Sequence, residues 1–369
     1  MKSSFPQGYL PTLDGWRAIA ILLVLSYHGI GSFQRAYGES IEWLVPYLHS
    51  GWVGVSIFFG ISGVLITSRL LEEQSARGSI SLKQFYLRRA FRILPPIVVL
   101  LIVLSVLAPC AQLPISWADR IRALCFASNY GPLPGWYVAH TWSLSVEEHF
   151  YLIWPFVLVT LGWIRAIVFG LVASTVITVW RIADIHYLIV PSYVGGSAWR
   201  TDTNLDYLLL GAVVGCLMSR PDSRARLQKA LKPPAALLLI ATLAAALALW
   251  SLYPHLEHPA RFYLAVVIPL ILAGTVLHPQ QILGRILEWS WLRWLGRLSY
   301  SLYLWQQMFF VPTLQRTASL GWLQDWPFNF FAALACAIAS YHLVERPFLK
   351  LGHRLAHPVT EGRSDLASA

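Results

Sequence analysis

Charge-poor runs of about fifteen to twenty-two residues recur ten times along this chain, at roughly residues 15–34, 50–71, 93–112, 146–164, 166–183, 205–219, 235–252, 262–278, 298–315 and 327–344. About 20 apolar residues cross the ~30 Å hydrocarbon core of a bilayer. There is no water in that core, so a spanning segment must satisfy its own backbone N–H and C=O groups, which a helix does. The fold expected is all-α: a polytopic integral membrane protein with about ten transmembrane helices. Composition agrees, since only 12% of the 369 residues are charged and 56% are hydrophobic, where soluble domains run near 25% charged. The 17 tryptophans and 16 tyrosines suit the aromatic belts of such a protein.

The net charge of +10 raises the question of a nucleic-acid partner. Its distribution answers with topology instead. If the N-terminus is cytoplasmic, twenty of the 28 lysines and arginines fall in inner loops and tails and seven in outer loops, with Arg17 inside the first span. That is the positive-inside pattern; it places both termini in the cytoplasm and implies no nucleic-acid binding. The N-terminal stretch lacks the small-residue cleavage site of a signal peptide and is expected to be retained. The longest outer segment runs over about residues 113–145. Residues 1–348 form the membrane domain, 349–369 a short cytoplasmic tail, expected to be disordered after His357. Cys110, Cys125, Cys216 and Cys336 show no metal spacing. Cys110 and Cys125 are either bridged, if both face an oxidising compartment, or isolated thiols. No internal repeat of the transporter kind stands out.

The first span, LDGWRAIAILLVLSYHG, carries both Arg17 and His28. Eleven residues at 1.5 Å rise separate them by roughly 16 Å and about three whole turns, so they share one helix face. An ionisable group inside a span costs about 3 kcal/mol or more unless it meets a cavity or a partner, which makes the pair a functional candidate. Taken singly, Arg17 can snorkel and His28 can hydrogen-bond a neighbouring helix.

Six further stretches stand out. In GWVGVSIFFGISGVLITSRLL, Gly51, Gly54, Gly60 and Gly63 allow close approach of a helix or a ligand. In LKQFYLRRAFRILPP, Arg88, Arg89 and Arg92 occupy about one turn before a helix that Pro95 and Pro96 are expected to open; they either anchor topology or form a phosphate site. HTWSLSVEEHFYLIWP puts Ser143 or Ser145 near a helix start with Glu147 and Glu148 in its first turn. Glu147 can lie at the depth of His28, and a carboxylate that orients a histidine is the usual arrangement for a general base acting on a hydroxyl. TDTNLDYLLLG sets Asp202 and Asp206 one turn apart, a repulsive spacing unless a cation such as Arg200 pairs with them. LGRLSYSLYLWQQMF brings Ser299, Tyr300, Ser301, Tyr303, Gln306 and Gln307 into the ninth span as polar helix contacts. YHLVERPFLK, with Glu345 and Arg346 before Pro347, suggests the stop of the tenth.

In this order, LDGWRAIAILLVLSYHG, IFFGISGVLI, RRAFRILPP, TWSLSVEEHFYLIWP, TDTNLDYLLLG, LGRLSYSLYLW and VERPF resemble the acyltransferase 3 family of membrane O-acyltransferases, over nearly the whole chain from Leu13 to Phe348. The resemblance implies a bacterial cytoplasmic (inner) membrane enzyme with ten or so spans. It moves an acyl group, commonly acetyl, from cytoplasmic acyl-CoA as co-substrate to a hydroxyl of a surface or exported saccharide or a small molecule. No permanently bound cofactor and no metal is implied. Arg17 and His28 match the family's essential pair, and Glu147 falls in its WSL..E motif. The site expected has His28 and Glu147 as catalytic residues and Arg17, Arg88, Arg89 and Arg92 binding acyl-CoA. Trp142, Glu148, Asp206 and Tyr303 are candidates to bind the acceptor. The chain departs from the family at Asn204, where members often carry Arg, and at Gln306, where they often carry His. Some relatives fuse an esterase-like domain to the membrane part, whose place a separate partner chain can take. The alternative from the residues alone is a proton-coupled exporter of a lipid or glycan, using a membrane histidine and acids as a relay; a non-catalytic scaffold leaves the Arg17 and His28 pair unexplained.

Overall fold

The computed structural model describes residues 9–132, 134–191, 196–253 and 257–356, and every regular element within them is helical. In chain order these are α1 (Pro11–His28), α2 (Ile30–Tyr37), α3 (Val45–His49), α4 (Val53–Arg77), α5 (Leu82–Ala111), α6 (Trp117–Leu124), α7 (Trp136–Ala139), α8 (Thr141–Tyr187), α9 (Thr201–Met218), α10 (Pro221–Ala230), α11 (Pro233–Leu252), α12 (Glu257–Leu277), α13 (Ile282–Leu287), α14 (Ser290–Phe309), α15 (Phe328–Ser340) and α16 (Arg346–Ala356). The all-α expectation holds. Residues 357–369, where a disordered tail was expected, lie outside the described residues.

Each of the ten charge-poor runs falls on a helix, the fourth and fifth sharing α8. That helix breaks at Gly162, whose φ of 71° and ψ of 168° are open essentially to glycine alone. Among the described residues six helical segments are long and apolar enough to span by length and composition, or seven if α1 and Ile30–Ile41, bent by 59°, make one broken span. Of the remaining runs, the fourth and fifth share the one long segment of α8, α9 opens with Asp202 and Asp206, and α14 carries Arg293 and Arg297. Elsewhere the exterior is apolar, with Ile102 and Val106 of α5 and Phe156, Val172, Val176 and Val179 of α8 all exposed, a surface that suits lipid.

α9 lies between α4 and α8, and α1 between α4 and α14. Two apolar clusters result. One joins Phe59, Trp154, Leu208 and Ile268; the other joins Ile21, Ile97, Leu302 and Phe310. α1 supplies residues to both and so runs along their seam. Close approach explains the glycines of α4: a Cβ on Gly63 would stand 2.2 Å from the Leu208 carbonyl of α9, so packing between helices is the role they fill.

Three local expectations change. α5 does not start at Pro95 and Pro96 but at Leu82, where the Ser81 side chain caps it by accepting from the Gln84 N–H. The prolines sit inside the helix, and Tyr300 of α14 donates to the Ile93 carbonyl at 2.9 Å, tying α5 to α14 at this level. The chain does not stop at Pro347 either. A π-helical turn, Tyr341–Glu345, leads into α16, where Pro347 occupies the first turn that suits it, so helix runs through the 348/349 boundary. Finally, neither Ser143 nor Ser145 caps α8; both hydroxyls bond backward to carbonyls, of His140 and Thr141, and Glu147 and Glu148 lie in its second turn.

Outside the spans, Arg35 of α2 donates to Asp325 at 2.9 Å and to the Gln324 carbonyl at 2.8 Å, while Arg316 binds Asp325 at 2.6 Å. Burial pushes the Asp325 carboxyl up, but hydrogen bonds from Arg316 and Arg35 outweigh it and hold it below the usual carboxylate range. This clasp ties the segment after His28 to the loop before α15. Cys110, Cys125, Cys216 and Cys336 are all free thiols.

Candidate active site

A cavity of about 910 Å³ opens at the end of the bundle where α1, α5 and α14 begin and α4 and α16 finish. Its wall holds six arginines, namely Arg17, Arg69, Arg77, Arg88, Arg89 and Arg92, against the carboxylates Asp14, Glu72, Glu73 and Glu147. The arrangement follows from helix geometry. Arg88 and Arg92 are i,i+4 and Arg89 and Arg92 are i,i+3 on α5, so all three share a face and repel one another. The opposing helices relieve part of that repulsion: Glu73 of α4 takes Arg88 at 3.3 Å, and the guanidinium of Arg89 lies 3.9 Å over the ring of Tyr151. Arg17 pairs with Asp14 at 2.8 Å. Arg92 has no ion-pair partner among the described residues; Glu345 reaches it only through its field. The π-helical turn is what aims Glu345 inward, where it accepts from Ser301 at 2.7 Å.

At its inner end the cavity is lined by Ser143 and Tyr303, whose hydroxyls lie 2.6 Å apart and both reach the carbonyl of His140. His140 is 2% exposed. Its backbone N–H and its Nδ1 both meet Gln307 Oε1, at 3.0 and 2.7 Å. The other end of the same amide, Gln307 Nε2, lies 3.4 Å from His28 Nε2, and His28 Nδ1 meets Gln306 Oε1 at 2.9 Å. Trp136 and Tyr27 stand edge-on to the His28 ring at centroid distances of 5.4 and 5.3 Å. The floor of arginines and the histidine pair are thus joined through Tyr303, Ser143 and Gln307. Among the described residues no group of three His, Cys, Asp or Glu side chains is placed to hold a metal ion.

The structure brings together Arg17, Arg88, Arg89, Arg92, Glu147 and Tyr303 in one cavity wall. α1 is unbroken between Arg17 and His28, so their separation is the ~16 Å that eleven helical residues give. It does not bring Glu147 to His28. Glu147 accepts instead from Ser62 at 3.0 Å and Tyr151 at 3.2 Å, because it sits about two turns down α8 from the level of His140. The groups that orient His28 are Gln306 and Gln307. Trp142 stacks on Trp199 with centroids 6.1 Å apart, outside the cavity wall. Glu148 neighbours Glu147 and Arg89 electrostatically. Asp206 lies away from the cavity: fully buried, it pairs with Arg181 at 3.0 Å, while Arg200 takes Asp202 at 2.7 Å and Asp184 at 2.9 Å. Sequence reasoning did not single out His140, and it read Ser143 only as a residue near a helix start and Gln307 only as a polar helix contact. The available signal was that polar residues at the start of α8 and near the end of α14, the HTWSLS and WQQ stretches, need partners inside a membrane.

The family model described as an acyltransferase domain matches residues 10–343. The chain is 29% identical to a peptidoglycan O-acetyltransferase of Listeria monocytogenes, over 94% of this chain and 57% of that protein. It is 31% identical to a Bacillus subtilis protein provisionally named a peptidoglycan O-acetyltransferase, over 94% and 56%, and 30% identical to a Staphylococcus aureus protein provisionally named an O-acetyltransferase, over 93% and 58%. The chain therefore spans a little over half the length of the curated relatives it matches. No solved structure matches it.

Proposed function

The chain belongs to the acyltransferase 3 family, and from that premise we propose that it moves an acetyl group from cytoplasmic acyl-CoA to a hydroxyl of a cell-surface or exported saccharide. The observation that carries this reading is the cavity of about 910 Å³, with arginines at its mouth and the Tyr303 and Ser143 hydroxyls at its inner end, bonded to the carbonyl of His140, which Gln307 links in turn to His28. Guanidinium groups bind phosphate bidentately and keep their charge. Arg92 and Arg89, without a carboxylate of their own, are the ones free to do so. The phosphates of the donor sit at the mouth and its thin pantetheine arm follows α1 toward His28.

At the far end His28 Nε2 takes the proton of the acceptor hydroxyl as that oxygen attacks the thioester carbonyl; the carbon–sulfur bond breaks and the thiolate leaves with a proton. In the second version of the same step Nε2 attacks first and carries the acyl group before the hydroxyl receives it. Both need Nε2 unprotonated. The peptidoglycan named for the Listeria relative makes a surface glycan the first acceptor to try, in the bacterial cytoplasmic membrane with the arginine end of the bundle inside.

Donor binding tests the arginine floor. Acetyl-CoA titrated into the purified protein is expected to bind at least tenfold more weakly after Arg92→Ala or Arg89→Ala, each loss being one charge-assisted phosphate contact worth about 1.5–3 kcal/mol. Acetyl-pantetheine, which lacks the nucleotide phosphates, should bind wild type and variants alike. Equal acetyl-CoA affinity in all three proteins would remove the arginines from the donor site.

A further inference from the structure

The tautomer of His28 can be worked out from groups whose hydrogen-bonding role is not in doubt. The backbone N–H of His140 can only donate, so the Gln307 atom 3.0 Å from it is the carbonyl Oε1, and the other end of that side chain is the amide NH2. The same Oε1 lies 2.7 Å from His140 Nδ1, which must then carry a proton. With two donors on Oε1 the amide cannot turn over, and its NH2 faces His28 Nε2 at 3.4 Å. A proton on Nε2 would set two donors against each other. Nε2 is therefore bare, Nδ1 holds the proton, and the Gln306 atom 2.9 Å from Nδ1 is its acceptor Oε1.

We propose that Gln307, anchored by His140, is a positioning residue that locks His28 in the neutral Nδ1–H tautomer and keeps the Nε2 lone pair ready for the substrate. The inference rests on the reading of His28 as base or acyl carrier, and assigns to two residues of other helices the task of preparing it. Gln306 supports the lock from the opposite side of the ring. The 3.4 Å contact is longer than a strong hydrogen bond, so an incoming hydroxyl or thioester can take its place on Nε2, while the 2.9 Å bond at Nδ1 stays. His140 is the titratable neighbour of His28 within this arrangement, and its own proton is committed to Gln307. Wrong-tautomer variants of histidine-dependent enzymes keep their shape and lose rate.

The test reads the ring directly. In vesicles of protein labelled with nitrogen-15 in histidine, the His28 signals are identified by their absence in His28→Ala. Wild type should show a neutral ring protonated at Nδ1 and bare at Nε2. Gln307→Leu leaves Gln306 alone to hold the tautomer, so a population protonated at Nε2 should appear and kcat should fall on the order of 10²-fold with the KM for acetyl-CoA unchanged. Gln307→Glu keeps the size and the acceptor for His140 but cannot donate to His28; it should shift the tautomer in the same way, and it stands in if the leucine variant does not fold. A His28 protonated at Nε2 in wild type, or an unchanged tautomer and kcat in both variants, overturns the proposal. The expected tautomer in a wild-type protein that transfers no acyl group would keep the lock and retire the transfer reading beneath it.

Discussion

Replacing His28 by Ala is expected to lower acyl transfer by about 10³-fold or more while the protein still folds, because general acid–base catalysis alone supplies roughly 10²–10⁴-fold. The change strands Gln306 Oε1 and Gln307 Nε2, which His28 now partners. Both glutamines are buried, and each unpaired group costs about 1–3 kcal/mol. That cost is softened because the His28 ring is only half-buried and water can enter the space it leaves. A modest drop in thermal midpoint with transfer abolished is therefore the expected pair of results, read by melting in detergent and by an acyl-transfer assay on the same preparation. Near-wild-type transfer by the variant would take His28 out of the mechanism.

Gly296→Val is expected to be worse for the fold than any substitution in the cavity. A Cβ at Gly296 would stand 1.8 Å from the Asp14 carbonyl oxygen, 2.6 Å from its carbon and 3.0 Å from its Cα. The obstacle is backbone, which has no rotamer to give. Overpacking ordinarily costs about 1–3 kcal/mol and more when a helix must move, and here the helices forced apart are α1 and α14, which hold His28 on one side and Gln306 and Gln307 on the other. Folded yield and activity should fall together. Gly274→Ala is the control, since its Cβ would meet nothing nearer than 3.7 Å; its melting curve should overlay wild type. A Gly296→Val protein as stable as that control would mean that α1 and α14 are not packed as described.

How much of this was legible beforehand depends on the range over which each feature is specified. The placement of ten helical runs came from hydropathy, which each stretch carries by itself. Arg17 and His28 were placed on one face because one continuous helix fixes the relation. The shared face of Arg88, Arg89 and Arg92 came from the same period, even though Pro95 and Pro96 gave the wrong helix start: a proline pair suits a first turn, yet these two stand in the middle of α5. What the pattern could not supply was partners. His28 meets Gln306 across 278 residues, His140 meets Gln307 across 167 and Ser143 meets Tyr303 across 160. Periodicity says which face a side chain occupies and nothing about which of a dozen other faces it meets. Glu147 was matched to His28 by estimated depth, and about two turns of α8 send it to Ser62 and Tyr151 instead. The ion pair of Asp206 went astray in the same way: Arg200 was near in sequence, but Arg181, from the far half of α8, was near in space. The expectation of about ten crossings took each run once, whereas the structure joins the fourth and fifth runs in α8 and gives α9 and α14 charges that leave them less apolar than the other long helices.

The central claim is that acyl groups leave acyl-CoA for a hydroxyl acceptor through His28. It is tested most directly by incubating membranes containing wild type or His28→Ala with radiolabelled acetyl-CoA and following label into chloroform-insoluble glycan and small organic products. Label incorporated by wild type and lost in the variant is the result predicted, and the labelled fraction identifies the acceptor class. Equal incorporation by both proteins, or none by wild type with the protein intact and glycan present, would contradict it. Movement of a lipid or glycan across vesicles without consumption of acetyl-CoA would then put an exporter in its place.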